Sequence, residues 1–147
     1  RERAGLIAVL LGHRRVREEE ATLASQAEEI LVFVGLAHRR DEAASALPYG
    51  EQRLLELAIA LAARPRLLLL DEPASGMNPA EKTTVMGLIQ RIREQGVTVL
   101  LVEHDMRLVM GISDQVIVLH GGRVIAQGAP NQIQGDPQVI RAYLGGH

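Results

Sequence analysis

The chain has 147 residues, with 16 Lys and Arg against 18 Asp and Glu. That is one domain's worth of material at a formal charge of −2, without the basic field that nucleic-acid binding needs. It contains no cysteine, which excludes a disulfide framework and thiolate metal sites. No apolar run approaches the roughly 18 residues of a membrane-spanning helix, so a cytosolic location and no nucleic-acid partner are expected.

From residue 1 to about residue 36 the pattern is helical. Leu23, Ala27, Ile30, Leu31 and Val34 recur at the spacing of one helix face, and Gly35 is a stop signal. The Glu18, Glu19 and Glu20 cluster favours the start of that helix through the macrodipole, and is otherwise a solvated face. The sequence opens at Arg1 rather than Met, without a recognisable cap, which suggests a fragment of a longer reading frame. After a polar connection, Leu47, Pro48, Tyr49, Gly50, Glu51 and Gln52 form a turn. It opens a helix with Leu54, Leu57, Ala58 and Leu61 on one side, ending near Arg64 and Pro65.

Residues 67–70 are four consecutive leucines between Pro65 and Pro73, the run expected of a strand buried on both faces of a parallel sheet. Asp71 and Glu72 follow at its carboxyl end, the edge where open α/β sheets bind ligands. Such a pair also occurs as plain structure. Asn78, Pro79 and Glu81 supply an N-cap, a proline at the first helical position and a capping-box acid for a helix from 79 to about 95, which Gly96 ends. Residues 97–102 read as a second buried strand, so the strand, helix, strand unit predicts a parallel pair with a right-handed crossover. Glu103, His104 and Asp105 lie at its carboxyl end. A short helix near 106–111 precedes a β-hairpin of strands 115–119 and 123–127 joined by His120, Gly121 and Gly122. Asp136 and Pro137 then start a terminal helix containing Val139, Ile140, Tyr143 and Leu144.

Several of these pieces carry chemistry. A helix that starts just after Gly50 presents unpaired backbone N–H groups and a positive dipole end, a ready site for a phosphate, and Gly50 permits close approach. A histidine at a strand end is by itself more often a structural group than a catalytic one. The place of His104 beside the Asp-Glu strand reverses that preference. His13, His38, His120 and His147 have no such context and read as surface or turn residues, as does Gln26.

The turn at 47–52, the four leucines with Asp71 and Glu72, and His104 after the next strand stand in the order and spacing found in one family. The chain resembles the ATP-binding subunits of ABC transporters, over essentially its whole length, from the end of their helical subdomain to their C-terminus. The resemblance implies an α/β fold of P-loop NTPase type: a parallel sheet with helices on both faces, missing its N-terminal strands and phosphate-binding loop, with a C-terminal β-hairpin and helix. Residues 1–46 would be part of the helical subdomain and 47–147 the C-terminal part of the ATPase core, a single incomplete domain.

For the site, the resemblance implies ATP and Mg²⁺ as cofactors. Asp71 would hold magnesium through its waters, Glu72 would be the general base, and His104 would contact the γ-phosphate. Leu47, Pro48, Tyr49, Gly50, Glu51 and Gln52 would act in trans on nucleotide held by a second ATP-binding subunit, in a homo- or heterodimer. Ser75, Gly76 and Asn78 resemble the loop along the dimer seam, although its usual terminal Asp is Asn78 here, a residue that can still cap the following helix. The signature turn departs too. Pro48 replaces the usual Ser and Tyr49 the first Gly, so a serine hydroxyl bond to phosphate is impossible.

Leu-Pro-Tyr-Gly-x-Gln, Ala-Ser-Gly-Met-Asn-Pro, Val-Glu-His-Asp-Met and the ending Val-Ile-Arg-Ala-Tyr-Leu-Gly are similar to the branched-chain amino acid importers among these proteins. That subgroup implies transmembrane permease subunits as partners, a periplasmic or extracellular solute-binding protein indirectly, and a peripheral location on the cytoplasmic face of the cell membrane. The sequence holds no Gly-x-x-x-x-Gly-Lys-Ser/Thr motif, and its one lysine, Lys82, lies in a predicted helix, so these 147 residues alone are expected to bind ATP poorly. Two alternatives stay open. One is a non-catalytic interaction or regulatory module, and the other is the ATPase of a lipid-exporting system.

Overall fold

The computed structural model describes residues 2–144, and the side-chain surroundings of residues 16 and 19–143. The chain divides into two compact units, Arg1–Pro65 and Arg66–His147.

The first unit is helical. Helix α1 spans Glu2–Val34, and two 3₁₀ turns, Ala37–Arg39 and Ala44–Ala46, lead to helix α2 at Tyr49–Ala62. The two helices pack on each other. Gly35 ends α1 as expected. It takes φ 84°, its N–H donates to the Val32 carbonyl at 3.1 Å, and Leu36 N–H reaches back to the Leu31 carbonyl at 2.7 Å. That pair of bonds satisfies the last carbonyls of the helix, and the positive φ is why a glycine stands there.

Two expectations for this segment are corrected. The helix begins at Glu2, so the Glu18 to Glu20 cluster lies in mid-helix, beyond the reach of the N-terminal dipole. Glu19 and Glu20 are exposed, in keeping with a solvated face. The apolar face also narrows: Val34 and Leu36 are buried and Ile30 and Leu31 half-buried, but Leu23 and Ala27 are exposed. Helix α2 is less than half the length of α1 and cannot cover this face along its whole length. Gln26 is half-buried rather than a plain surface residue. His13 and His147 lie outside the residues whose side chains are described.

The second unit builds the sheet edge that matters for function. Strand β1, Leu67–Asp71, pairs in parallel with strand β2, Thr98–Val102, in the register Leu68 to Val99 and Asp71 to Val102. Helix α3, Pro79–Glu94, connects them and packs against β2. Its start follows from sequence. The Asn78 side chain accepts from Ala80 and Glu81 N–H at 2.9 and 3.0 Å, and the Glu81 carboxylate accepts from Asn78 N–H at 2.9 Å. This reciprocal cap satisfies donors that the helix cannot, an effect of about 1 kcal/mol. Gly96 closes the other end at φ 85°, with Gly96 N–H bonded to Arg93 and Val97 N–H to Ile92. Val85, Leu88, Ile89 and Ile92 form the buried stripe of α3, at the three- and four-residue spacing of one face.

The prediction that the leucine strand is buried on both faces does not hold for the described residues. Leu68 is 5% exposed, whereas Leu67 and Leu69 are 52% and 64% exposed, and Leu100 and Val102 on β2 match them at 56% and 58%. The period-two alternation puts these four on one side of the sheet, which the described residues of this unit leave exposed.

Helix α4, Met106–Ile112, leads into the antiparallel hairpin of β3, Val116–His120, and β4, Arg123–Gly128. Gly121 and Gly122 take φ 55° and 75°, the two positive values that a two-residue hairpin turn requires. Val116, Val118, Ile133 and Val139 make a core with Met106, Val109, Met110, Ile125 and Ala126 around them. Ile133 belongs to α5, Pro130–Gln134, a helix too short for its five residues to show a periodicity in the sequence. The expected terminal helix is present as α6, Pro137–Val139, capped by Asp136 and continued by a π-helical turn, Ile140–Leu144. In that turn Tyr143 donates its hydroxyl to the Leu119 carbonyl and meets His120 edge-on at 6.1 Å, so His120 has a ring contact.

Candidate functional site

Because β1 and β2 run parallel, the segments that leave their carboxyl ends emerge on the same edge. One carries Asp71, Glu72 and Ala74, and the other carries Glu103, His104 and Asp105. Parallel pairing with β2 holds residues 67–71 in strand geometry, and Glu72 then breaks it. Its N–H still bonds the Val102 carbonyl at 2.9 Å, but its φ is 43°, the left-handed region that a side chain with a Cβ occupies at a cost of roughly 1–3 kcal/mol.

In that conformation the Glu72 carboxylate lies 3.2 Å from Nδ1 of His104. The two candidate catalytic residues are therefore in contact, from positions 32 apart in sequence. Neither is buried, with side chains 49% and 70% exposed, so the contact itself adds little stability, on the order of 0–1 kcal/mol. Exposure leaves both groups open to a ligand. Asp71 ends β1 opposite Val102 and is also exposed.

Among the described residues no cluster of three or more Asp, Glu, His or Cys side chains is placed to hold a metal ion. The exposed Asp71 carboxylate is a hard oxygen donor of the kind a magnesium ion takes one or two of.

Two further acids, to which no sequence motif assigns a role, shape this edge. The Glu103 carboxylate accepts from Ala74 N–H at 3.4 Å through one oxygen, and from His104 and Asp105 N–H at 3.2 and 3.4 Å through the other. Asp105 divides its oxygens as well. Oδ1 caps α4 by accepting from Arg107 and Leu108 N–H, and Oδ2 accepts from Lys82 Nζ of α3 at 2.7 Å. The sequence signal was the Glu-His-Asp triplet, in which both neighbours of the candidate histidine are acceptors.

The hydrogen bond from Lys82, with burial opposing it and the two α4 N–H groups assisting, holds the Asp105 carboxyl below its ordinary value. A folded-state value lower than the unfolded one means that this pair stabilises the fold above the ordinary carboxylate range, and that the contribution is lost as pH falls through the lowered value. The gap in melting temperature between the wild type and Asp105→Asn should accordingly be largest near neutral pH and shrink below about pH 4. A gap unchanged down to pH 2.5 would show that the ion pair carries none of it.

Ser75, Gly76 and Asn78 follow on the same side of β1. Ser75 N–H donates to the Glu72 carbonyl at 3.0 Å, Gly76 takes φ 72°, and Asn78 caps α3. Ala74 and Met77 are buried and anchor this loop.

The candidate signature turn belongs to the first unit and is described by itself. Leu47 is buried, Pro48 precedes α2, and no side chain caps that helix. The Gln52 amide donates to the Leu47 carbonyl at 2.9 Å, which fixes the turn, and Gly50 is buried at its start. Tyr49 is half exposed, and Arg53 both bonds its hydroxyl at 3.1 Å and lies over its ring at 5.2 Å. Glu51 places a negative charge in the first turn, where it would oppose an anion. Arg39 offsets it with bonds of 2.9 and 3.4 Å from Nε and Nη2. His38 Nε2 approaches the same carboxylate at 3.9 Å.

Comparison with known proteins places these motifs in context. The family described as "Branched-chain amino acid ATP-binding cassette transporter" matches residues 123–147, and that described as "AAA domain, putative AbiEii toxin, Type IV TA system" matches residues 2–110. The chain is 46% identical to the high-affinity branched-chain amino acid transport ATP-binding protein BraF of Pseudomonas aeruginosa, over 97% of this chain and 54% of that protein. It is 43% identical to LivG of Escherichia coli K12, of the same description, over 97% of this chain and 56% of that protein. The lipopolysaccharide export system ATP-binding protein LptB of Haemophilus influenzae is 37% identical over 82% and 50%.

Among solved structures, the ADP conformation of MJ1267, an ATP-binding cassette of an ABC transporter, superposes with a TM-score of 0.77 at 29% identity, covering 85% of this chain and 51% of that one. The cbiO1 protein of Clostridium perfringens, part of the ABC transporter complex cbiONQ, gives 0.74 at 30% identity over 83% and 49%. The chain spans about half the length of the curated relatives it matches.

Proposed function

Since the chain belongs to the ATP-binding proteins of ABC transporters, in the subgroup that serves branched-chain amino acids, we propose that it forms the hydrolytic edge of an ATPase subunit driving the uptake of those amino acids. The observation that carries this reading is the left-handed Glu72, whose carboxylate meets His104 at the carboxyl edge of a parallel strand pair.

The roles divide by chemistry. Magnesium, when bound, neutralises charge on the β- and γ-phosphates of ATP. Asp71 would hold that ion, through its water ligands. Glu72 orients the attacking water and accepts its proton, which an exposed carboxylate on a fixed backbone turn can do. His104 donates Nδ1–H to Glu72, and in the imidazolium form, in which both ring nitrogens are donors, Nε2–H is left to donate to a phosphate oxygen.

Leu47, Pro48, Tyr49, Gly50, Glu51 and Gln52 offer an uncapped helix N-terminus to nucleotide on a second subunit, with backbone N–H groups in place of a serine hydroxyl. Ser75, Gly76 and Asn78 lie along the seam between the two subunits. By family likeness, permease subunits hold the pair at the cytoplasmic face of the membrane; none of the described helices is long and apolar enough to cross a membrane.

The resemblance to a lipopolysaccharide export protein favours a second reading, the ATPase of a lipid exporter. The full-length protein, reconstituted in vesicles with the permease subunits from its own genomic neighbourhood, separates the two. ATP-dependent accumulation of labelled leucine supports the importer. Lipid extraction without leucine uptake would replace it with the exporter.

A further inference from the structure

His104 and Glu72 are both largely exposed, so their contact needs support from elsewhere to persist. The residues on either side of His104 supply it from better protected positions. Lys82 and Asp105 are 35% and 27% exposed, and the backbone that Glu103 grips, at Ala74, is buried.

We infer that Glu103 and Asp105 are positioning residues that hold the His104 loop against the Glu72 turn, Glu103 through the Ala74 N–H and Asp105 through Lys82. The inference rests on the proposed ATPase reading for its consequence, but not for its geometry. Ala74 lies two residues beyond Glu72, and Lys82 lies in the first turns of the helix that Asn78 caps. The two tethers therefore join the histidine loop at two points to the segment that carries both the candidate base and the candidate seam loop. A shift of that segment is passed to His104. Because Asp105 uses Oδ1 for the α4 cap and Oδ2 for Lys82, Asn at this position keeps an acceptor for the cap while losing the charge.

The test uses the full-length protein and the variants Lys82→Met, Asp105→Asn, their combination, and Glu103→Ala. Each single variant should lower kcat for ATP hydrolysis by about tenfold with KM within twofold, since misplacing a reacting group costs rate rather than ground-state binding. The double variant Lys82→Met/Asp105→Asn should be no worse than either single one. Additive losses, or a change confined to KM, would overturn the inference.

The second readout is the His104 ring resonance in nucleotide-free protein, assigned by its loss in His104→Gln. It should move in Lys82→Met and in Glu103→Ala, and an unmoved ring signal would sink the positioning role whatever the rates show. If the ring signal moves but the wild type hydrolyses no ATP, the positioning stands and the ATPase reading fails.

Discussion

Replacing Glu72 by Gln in the full-length protein should lower ATP turnover by about 10²- to 10⁴-fold while leaving ATP-driven association of two subunits intact. Gln keeps the length and shape of the side chain and an acceptor oxygen toward His104, but it cannot take a proton from water. It also carries the same Cβ into the left-handed turn at φ 43°, so the backbone strain is the same in both proteins. The thermal midpoint should therefore stay within a degree or two, and the lost rate is then chemical rather than structural. Steady-state phosphate release measures the first quantity and size-exclusion chromatography with ATP the second. A variant that hydrolyses at the normal rate would remove Glu72 from the role of base.

The second large effect is expected at His104. Its Nδ1 faces Glu72 at 3.2 Å and its ring is 70% exposed, so the imidazole is oriented without being sequestered. If Nε2 stabilises charge on the transferring phosphoryl group, His104→Ala should reduce kcat by about 10²- to 10³-fold, the cost of losing one aimed donor at a developing charge. KM for ATP should change little, because the contact matters most in the transition state. Stability should be almost unaffected, as the exposed contact with Glu72 is worth only about 0–1 kcal/mol. A rate within threefold of the wild type would show that the histidine is a spectator, and a large fall in thermal midpoint would mark it as structural.

These two residues also show how far a sequence can be read. Asp71 and Glu72 were visible as carboxylates after an apolar strand, and His104 as a polar residue after the next one, because parallel strands deliver their carboxyl ends to one edge. Their approach to 3.2 Å was not visible. It depends on the backbone reversal at Glu72, and no local signal announces a left-handed glutamate, since glycine or asparagine is the residue usually found there. The Asn78 cap, the Gly35 and Gly96 helix ends and the Gly121 and Gly122 hairpin turn were legible, each being a short-range device built from the residues that the backbone conformation demands.

Burial was less legible, for a physical reason. A run of leucines says that a strand can be covered on both sides, but coverage belongs to whatever packs there. In this unit Leu68 is covered, while Leu67, Leu69, Leu100 and Val102 are not. The same holds for Leu23 and Ala27 on α1, whose spacing was right for a helix face that α2 is too short to meet along its whole length.

The sequence by itself thus determined the longer elements in their order, the ends marked by caps and glycines, and the residue types at the ligand edge, because caps, turns and periodicity act over a few residues. Only the tertiary structure decided which of those groups touch: Glu72 with His104, Glu103 with the Ala74 backbone, and Lys82 with Asp105. These contacts span 23 to 32 positions and are made by the parallel pairing of two strands, a long-range arrangement that short-range sequence signals do not encode.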